Sequence, residues 1–252
     1  MSAWSGVAEA YRVSFGTLCA GPVDRLLADA LDGPLLDVGC GTGGLAASAA
    51  SAGHPVVAVD ADPDMTVVAA ASLPGRVVGA ALPRLPFPDD AFATTTANFV
   101  VNHVPDPRAA VAELARVTRR GGRVAMTSWT SAPAAWAGLV GDAFASAGAV
   151  APPAQRLAPE LDFERSPEGL AGLAAGAGLQ PLTVTELRWT WEVPAADLWA
   201  GVTGGVAGPG RTFLAQSREV QEAATAAFHA DRPADRAPLR LAAVAAYVLA
   251  EG

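Results

Sequence analysis

The ten-residue stretch LLDVGCGTGG (residues 35–44) most constrains how this chain can fold. A short apolar run ends there in an acid, Asp37, and a glycine-rich turn follows. Sixteen residues beyond Gly44, a second apolar run (residues 56–59) ends in Asp60. Strand, glycine turn, helix, strand and acid are the parts of a nucleotide-binding βαβ unit. Glycines in such a turn let the backbone come close to a ligand, and the second acid can accept hydrogen bonds from ribose hydroxyls.

The acid before the glycines bears on which nucleotide this unit binds. Gly39, Gly41 and Gly44 satisfy the pattern G-x-G-x-x-G, and Asp60 follows at about the spacing of a dinucleotide site. A buried carboxylate such as Asp37 is costly unless a polar group meets it, and it would repel a pyrophosphate. It would attract the ammonium at the amino-acid end of S-adenosylmethionine. The motif therefore favours S-adenosylmethionine over NAD.

Apolar periodicity and turn residues predict alternating strands and helices along most of the chain. The predicted strands are residues 35–38, 56–59, 76–79, 91–99, 123–129 and 182–193. The predicted helices are residues 1–32 with a break at 21–22, 43–52, a helix capped by Asp62, 107–119 ended by Gly121-Gly122, 167–178 and most of 195–230. Residues 132–160 contain helical pieces and a proline-rich linker, and the apolar run 239–249 fits a helix or a final strand. This alternation predicts a parallel sheet covered by helices on both faces.

Charge and chain composition argue against several classes of protein. The net charge is −8 and the isoelectric point is about 4.8, so we expect no nucleic-acid partner, because such proteins usually carry a basic face. No apolar stretch approaches the roughly 18 residues of a membrane span, and the first residues lack a signal-peptide pattern. The chain contains no lysine, which excludes Schiff-base chemistry on that residue.

Cysteine and histidine usage add two further expectations. The two cysteines, Cys19 and Cys40, are too few for a disulfide framework, so we expect a reduced, cytoplasmic protein. The three histidines and the scattered carboxylates show no metal-ligand spacing, and we expect no metal. Nothing in the sequence distinguishes a monomer from a homodimer.

Five motifs in order give the chain a family resemblance. They are LLDVGCGTG (35–43), GHPVVAVDADPDM (53–65), LPFPDDAF (85–92), NHVPDP (102–107) and LARVTRRGGRV (114–124). Across these roughly 100 residues the chain resembles the class I S-adenosylmethionine-dependent methyltransferases, and within them the small-molecule enzymes similar to the ubiquinone/menaquinone C-methyltransferases. The flanking residues match only loosely.

The resemblance implies a set of cofactor-binding residues. Asp37, Gly39 and Gly41 would hold the methionine moiety, Asp60 the ribose and Met65 the adenine. The remaining positions implied to bind the cofactor are Tyr11, Cys40, Ala61, Ala81, Leu82 and Asn98. The chain departs from the family at two positions, where Ala81 and Ala93 replace acids that relatives usually carry. The loss at position 81 removes one polar contact to the adenine.

Several residues are candidates for contact with the substrate. His103 could act as a general base on a phenol, hydroxyl or enol, or it could be a structural residue of the turn that follows. The candidates for substrate contact are Phe15, Asn102, Trp129 and Trp136. Phe15 and Tyr11 lie one helical turn apart and could instead belong to the core. Trp189 and Trp191 alternate on one strand face and fit either a pocket or the core equally well.

The sequence thus predicts a doubly wound, seven-stranded, mostly parallel Rossmann-like α/β fold with a helical lid. Within a single domain, residues 1–34 would form an N-terminal helical lid, residues 35–131 the S-adenosylmethionine-binding core, and residues 132–252 the rest of the sheet with a helical insertion over the substrate. The expected reaction is methyl transfer to O, C or N of an apolar small molecule, with S-adenosylhomocysteine as product. The biased composition of the chain suggests that this molecule is a secondary metabolite. The alternative is the same fold used for a non-methylating reaction, such as a cyclisation in an apolar pocket.

Overall fold

The computed structural model describes residues 4–153, 157–230, 232 and 237–252; residues 154–156 of the predicted proline-rich linker lie outside the described residues. The strands are β1 (Leu35–Val38), β2 (Val56–Asp60), β3 (Val77–Gly79), β4 (Phe92–Asn98), β5 (Thr118–Trp129), β6 (Gln180–Val193) and β7 (Leu239–Glu251). The helices are α1 (Ala8–Val13), α2 (Phe15–Cys19), α3 (Val23–Ala28), α4 (Gly44–Ser51), α5 (Pro63–Ser72), α6 (Pro107–Val117), α7 (Ala135–Ser146), α8 (Pro167–Gly176), α9 (Ala195–Thr203), α10 (Ala207–Leu214) and α11 (Arg218–His229).

The seven strands form one sheet in the order β3-β2-β1-β4-β5-β7-β6. Strands β1 to β5 pair in parallel, whereas β7 runs antiparallel to β5. This confirms the predicted doubly wound fold, and it resolves the apolar run 239–249 as a strand. The strand order reverses between β1 and β4, and ligands of open α/β sheets bind at the carboxyl ends of the strands beside such a switch point.

Apolar residues of the central strands alternate between two packed faces. Leu36, Val38 and Val124 point to the face covered by α6 and α8. Leu35 and Ala58 point to the other face, which α3 and α4 cover. Burial on both faces explains why β1 is a continuous buried run rather than an alternating one.

The end of helix α6 differs from the sequence-based prediction. We expected the helix to reach residue 119 and to end at Gly121-Gly122, but it ends at Val117. Thr118 already pairs with Phe92, and its hydroxyl donates to the carbonyl of Leu114 at 2.7 Å. Between this pair and the next, the β4–β5 register shifts, so the two glycines lie in an irregular part of β5. The prediction was wrong because Thr118 pairs with β4 in the sheet, and local helix propensity gives no information about that pairing.

The chain separates into two compact units. One contains residues 22–131, 157–187 and 244–252, and the other contains residues 4–21, 132–153 and 188–243 where these are described. The first unit holds α3 to α6, α8 and strands β1 to β5, and the second holds α1, α2, α7 and α9 to α11. Strands β6 and β7 contribute residues to both units. Within the described residues, no helix is long and apolar enough to cross a membrane.

The second unit has an aromatic core centred on Trp199. This side chain is 3% exposed, stacks on Phe228 with a ring-centroid distance of 4.4 Å, and donates its indole N–H to Thr225. Two small residues let α1 approach α9 closely, because a Cβ at Gly204 would lie 2.3 Å from the Cβ of Ala10. The aromatic and small residues of this region therefore serve packing.

Candidate functional site

The turn after β1 is built by three left-handed glycines. Gly39, Gly41 and Gly43 have φ values of +67°, +54° and +87°, which side chains with a Cβ rarely adopt. A Cβ at Gly39 would lie 2.4 Å from Cγ2 of Val100, so packing within the protein already requires a glycine there. The sequence motif had suggested approach to a ligand as the reason for these glycines.

Asp60 ties this turn to the end of β2. Its Oδ2 accepts the backbone N–H of Gly41 at 2.8 Å, and its Oδ1 accepts the N–H of Asp62 at 2.9 Å. Burial raises the pKa of the Asp60 carboxyl, and these backbone donors counteract part of that rise. The N-cap of α5 is Asp62, as predicted, and its side chain accepts the backbone N–H groups of Asp64 and Met65.

Asp37 is a buried carboxyl at the end of β1. The residue is 1% exposed, and its Oδ1 accepts a hydrogen bond from the hydroxyl of Thr96 at 3.0 Å. Its Oδ2 is buried and has no hydrogen-bond partner in the described part of the chain. Burial raises the pKa of Asp37 to about 7; the Thr96 hydroxyl lowers it, and the charge of Asp60 raises it further. The Oδ2 atom of Asp37 can therefore accept a hydrogen bond from a ligand or contact a cationic group.

Strand register places the polar residues in two rows on one face. Asp37 pairs with Thr96, and Val38 with Val59. Asp60 on β2 and Asn98 on β4 are therefore level with Gly39, two residues beyond Asp37 toward the carboxyl ends. Because side chains at matching positions of parallel strands share a face, both point to the same side of the sheet as Asp37. From strand spacing, the backbones of β2 and β4 are about 10 Å apart.

The side chain of Asn98 is hydrogen-bonded to Thr127, a residue that the sequence-based prediction missed. Thr127 of β5 pairs with Asn98 and donates its hydroxyl to Oδ1 of Asn98 at 2.7 Å. The same hydroxyl accepts the N–H of Phe99 at 2.9 Å, a residue with a left-handed φ of +58°. Phe99 in turn stacks on Trp129 with ring centroids 3.9 Å apart. Asn98, Phe99, Thr127 and Trp129 thus form one connected group at the ends of β4 and β5.

Thr96 and Thr127 could have been found from the sequence only through strand register. Both lie in predicted strands, TTTAN and AMTSW, and both are completely buried. A buried hydroxyl needs a partner, so a polar residue within a buried strand was the available signal. Which acid or amide it meets depends on the neighbouring strand.

The residues expected near the adenine lie on the β2 and β3 side of the site. Met65 is buried in the first turn of α5, and Ala61 is exposed just after β2. Ala81 is also exposed, and the carbonyl of Ala81 accepts the N–H of Arg84 in an isolated bridge. Leu82 is partly buried against the core. The cofactor roles of these residues stay predictions.

The turn after β4 contains the two polar residues proposed for the substrate. His103 is exposed, and its backbone N–H donates to the carbonyl of Val100 at 2.8 Å. Asn102 is half-buried, and its Oδ1 is buried without a hydrogen-bond partner among the described residues.

Cys40, inside the glycine turn after β1, is half-buried. Burial raises the pKa of its thiol, and the Asp37 and Asp60 carboxyls raise it further, so the thiol stays uncharged.

The remaining predicted contacts lie in the other unit. Phe15 is 7% exposed and packs edge-on against Trp136 at 4.9 Å, with Trp191 at 6.0 Å. Tyr11 packs edge-on against Trp4 at 5.7 Å. Trp191 is buried and donates its indole N–H to Thr17 at 2.9 Å, so of the two tryptophans on this strand, Trp191 belongs to the core. Phe15 and Trp136 therefore do meet, in an aromatic cluster of their own unit.

The geometry supports binding of an organic cation joined to a nucleoside. The buried, unsatisfied Asp37 oxygen suits an ammonium, and Asp60 lies one strand away. Within the described residues, no group of three or more His, Cys, Asp or Glu side chains is arranged to hold a metal ion.

Comparison with known proteins identifies the domain that carries this site. Residues 36–126 match the model of the methyltransferase domain. The demethylmenaquinone methyltransferase of Clavibacter sepedonicus is 36% identical over 103 residues, which cover 39% of this chain and 42% of that protein. The chain therefore spans about two fifths of the length of this curated relative. The residues that match the domain model, 36–126, include Asp37, Asp60 and Asn98.

Solved structures share the fold over most of the chain. Geranyl diphosphate C-methyltransferase from Streptomyces coelicolor, in complex with Mg²⁺, geranyl diphosphate and S-adenosyl-L-homocysteine, has a TM-score of 0.53 at 16% identity and covers 92% of this chain and 78% of its own. The (4+2)-cyclase SpnF has a TM-score of 0.51 at 22% identity, over 91% of this chain and 78% of its own. At these identities the likeness shows the fold alone. Fold and domain together confirm the resemblance to class I S-adenosylmethionine-dependent methyltransferases.

Proposed function

We propose that this chain, whose residues 36–126 match a methyltransferase domain, is an S-adenosylmethionine-dependent methyltransferase. The acceptor would be the O, C or N atom of an apolar small molecule, and S-adenosylhomocysteine would be the second product. The unsatisfied Oδ2 of Asp37, buried at the end of β1, is the observation that carries this proposal.

Asp37 supports the proposal because its environment is costly without a ligand. A buried acceptor that lacks a partner costs about 1–3 kcal/mol, and more when it is charged. The ammonium of the cofactor's amino-acid end would satisfy it and would favour its ionised form. A dinucleotide offers a pyrophosphate instead, and that group would be repelled by two acids, Asp37 and Asp60.

Asp60 and the glycine turn complete the proposed cofactor site. Each oxygen of Asp60 already accepts one backbone N–H, and each has further lone pairs for a ribose hydroxyl. The left-handed turn at Gly39 and Gly41 keeps side chains away from the same edge of the sheet. Met65 would pack against the adenine, while Ala81 offers it only backbone contacts.

The proposed reaction requires little acid–base catalysis by the protein. When bound, S-adenosylmethionine would supply a sulfonium-bound methyl group for in-line transfer to the acceptor atom, with S-adenosylhomocysteine as the leaving group. The protein's residues contribute proximity and orientation, which can lower a barrier by roughly 7–11 kcal/mol. A phenol or alcohol acceptor would also need a base, for which His103 is the candidate; an activated carbon would not.

Calorimetric titration with S-adenosylmethionine and S-adenosylhomocysteine tests the cofactor site. The unchanged protein should bind both at micromolar concentration. Asp37→Asn keeps the shape of the side chain and removes its charge, so it should weaken both ligands about tenfold or more, since a hydrogen bond to a charged group is typically worth 1.5–3 kcal/mol. Absence of binding by the unchanged protein would overturn the proposal.

A second candidate is a non-methylating reaction on the same fold. The groups gathered at the ends of β4 and β5 are an amide, a hydroxyl and two aromatic rings, and the nearby His103 is exposed. Such a set can shape a reaction without proton transfer, for example a cyclisation. Conversion of an acceptor with S-adenosylhomocysteine formed in equal amount would support methyl transfer; conversion with the donor left unconsumed would support the second candidate.

A further inference from the structure

The segment that follows β3, residues 80–85, is hydrogen-bonded at both of its ends. At the first end, the backbone N–H of Ala80 donates to the carbonyl of Asp60 at 3.0 Å. At the other end, the backbone N–H of Leu85 donates to Oε1 of Glu113, on helix α6, at 2.6 Å. The side chain of Glu113 is therefore one of the groups that fix where this segment lies.

Glu113 is an ionised acceptor that Arg116 holds in one orientation. The Glu113 side chain is 11% exposed, and the guanidinium of Arg116 donates to both of its oxygens, from Nε at 2.8 Å and from Nη2 at 2.7 Å. This hydrogen bonding lowers the pKa of Glu113, against a rise from burial. Nη2 of Arg116 also donates to the carbonyl of Leu85 at 3.3 Å. One ion pair thus binds both backbone polar groups of Leu85, and hydrogen bonds to charged groups are the strong ones.

Strand order places residues 80–85 where the base of the proposed cofactor would lie. Strands β1, β2 and β3 are parallel neighbours, so their carboxyl ends follow one another along one edge of the sheet. Asp37 on β1 is the proposed site of the ammonium, and Asp60 on β2 is that of the ribose. The base and the amino-acid group are attached on opposite sides of the ribose. A ligand held at these two points would therefore extend its base toward β3 and the segment that follows it.

The side chains of this segment make the position of its backbone important. Ala81, Leu82 and Pro83 have no polar side-chain atoms, so they can meet the edge of a base only through backbone groups. A backbone group cannot rotate toward a ligand as a long side chain can, and a hydrogen bond weakens steeply as its angle departs from linear. A small shift of residues 81–83 would therefore remove such a contact.

We propose that Glu113 is a positioning residue for the base of the cofactor. By holding the N–H of Leu85, it sets the backbone of residues 81–83 at the distance at which it can hydrogen-bond to the edge of adenine that carries the amino group. This inference rests on the proposed function. It assigns recognition of the base to a correctly placed backbone, at the position where relatives usually carry an acid.

The test compares two ligands that differ only in the base. S-adenosylhomocysteine carries adenine, and S-inosylhomocysteine carries hypoxanthine, in which an oxygen replaces the amino group and the neighbouring ring nitrogen becomes a donor. The variants are Glu113→Ala and Glu113→Gln, which keeps one oxygen for Leu85. The matched control is Arg108→Ala, because Arg108 lies on the same helix and donates to the carbonyl of Glu160.

Calorimetry gives the dissociation constant of each ligand, and the ratio of the two constants measures recognition of the base. We expect the unchanged protein to bind S-adenosylhomocysteine roughly tenfold more tightly than S-inosylhomocysteine, as for a mismatch that leaves polar groups unpaired. Glu113→Ala should weaken S-adenosylhomocysteine by about the same factor and S-inosylhomocysteine by less than about twofold, so the ratio approaches one. Glu113→Gln should give an intermediate ratio, and Arg108→Ala should keep the ratio of the unchanged protein.

Two patterns of binding would overturn the inference while the proposed function stands. If the unchanged protein binds both ligands equally well, the edge of the base is not recognised. If Glu113→Ala weakens both ligands equally, or if Arg108→Ala lowers the ratio as much, Glu113 only supports the local fold.

Circular dichroism shows which variants are folded. If Glu113→Ala does not fold, Glu113→Gln decides, and a ratio equal to that of the unchanged protein overturns the inference. If the unchanged protein binds neither ligand, the proposed function fails first and the inference fails with it.

Discussion

Asp60 at the end of β2 accepts the backbone N–H of Gly41, in the turn after β1, at 2.8 Å. The acid proposed to bind ribose is therefore also the residue that fixes the glycine turn. Removing it changes the local fold as well as any ligand contact, so a loss of binding in an alanine variant at this position cannot be assigned to the ribose alone.

The two Asp60 bonds predict a graded loss of stability. Asp60→Ala leaves the N–H groups of Gly41 and Asp62 without their acceptor and should lower the free energy of unfolding by about 1–3 kcal/mol. Asp60→Asn keeps one carbonyl oxygen and should lose about half as much. Urea denaturation measures both values. Equal stability of Asp60→Ala and the unchanged protein would contradict the role assigned to these bonds.

Asp37 predicts a pH dependence of stability. Its pKa is raised to about 7, so between about pH 4 and pH 7 the folded protein keeps a proton that the unfolded chain has released. The unfolded state binds fewer protons in this window, and the free energy of unfolding falls as pH rises, by up to about 1.4 kcal/mol per unit. Asp37→Asn cannot titrate. The stability of the unchanged protein minus that of Asp37→Asn should therefore decrease from about pH 4.5 to 7.5; a flat difference would show that Asp37 has an ordinary pKa.

The same group predicts proton release when a cationic ligand binds. An ammonium beside Asp37 lowers the pKa of that carboxyl, so affinity for S-adenosylhomocysteine should rise as pH increases toward 7 and level off above it. Calorimetry in two buffers of different ionisation enthalpy should detect up to one proton released per ligand near pH 6. Asp37→Asn is the control and should bind weakly at a pH-independent level. Proton uptake on binding would contradict the prediction.

Two glycines of the turn should respond differently to alanine. Gly39→Ala places a Cβ 2.4 Å from Val100 at a φ of +67°, and we expect a loss of about 2–4 kcal/mol, partly recovered by Val100→Ala. Gly44→Ala is the matched control, since a Cβ there meets no atom within 4 Å and Gly44 begins helix α4. It should be neutral or stabilising by up to about 1 kcal/mol. Chemical denaturation of the unchanged protein, Gly39→Ala, Gly39→Ala/Val100→Ala and Gly44→Ala measures these free energies of unfolding. Equal losses of stability in Gly39→Ala and Gly44→Ala would refute the packing explanation.

We expect Arg116 to contribute more to the free energy of unfolding than an exposed arginine does. Its guanidinium donates to Glu113, Asp89 and the carbonyls of Phe87 and Leu85, and so holds residues 85–89 against α6. Arg116→Lys cannot reproduce this planar set of donors, and we expect it to lose about 1–2 kcal/mol.

The control for Arg116 is an exposed arginine. The side chain of Arg218 is 91% exposed and pairs with Glu222 one helical turn away, so Arg218→Lys should change stability by less than about 0.5 kcal/mol. Thermal or urea unfolding of both variants gives the comparison. Similar losses for the two would mean that the contacts of Arg116 contribute no more than a surface ion pair.

Local sequence was a good guide where one segment sufficed to fix its own structure. The glycine turn, the cap at Asp62 followed by Pro63 and the apolar strands β1 and β2 were predicted within a residue or two, because each depends on neighbours in the chain. The end of α6 was misplaced because Thr118 has two good options, and pairing with Phe92 in the sheet decides between them.

The sequence by itself determined the alternation of strands and helices, the position of the glycine turn and the two acids Asp37 and Asp60 near the carboxyl ends of buried strands. Tertiary structure decided which side chains meet: Thr96 with Asp37, and Thr127 with Asn98, pairs that are 59 and 29 residues apart in the chain. The reason is physical. A buried hydroxyl must find a partner, but its partner is set by strand order and register, which depend on the packing of the whole sheet.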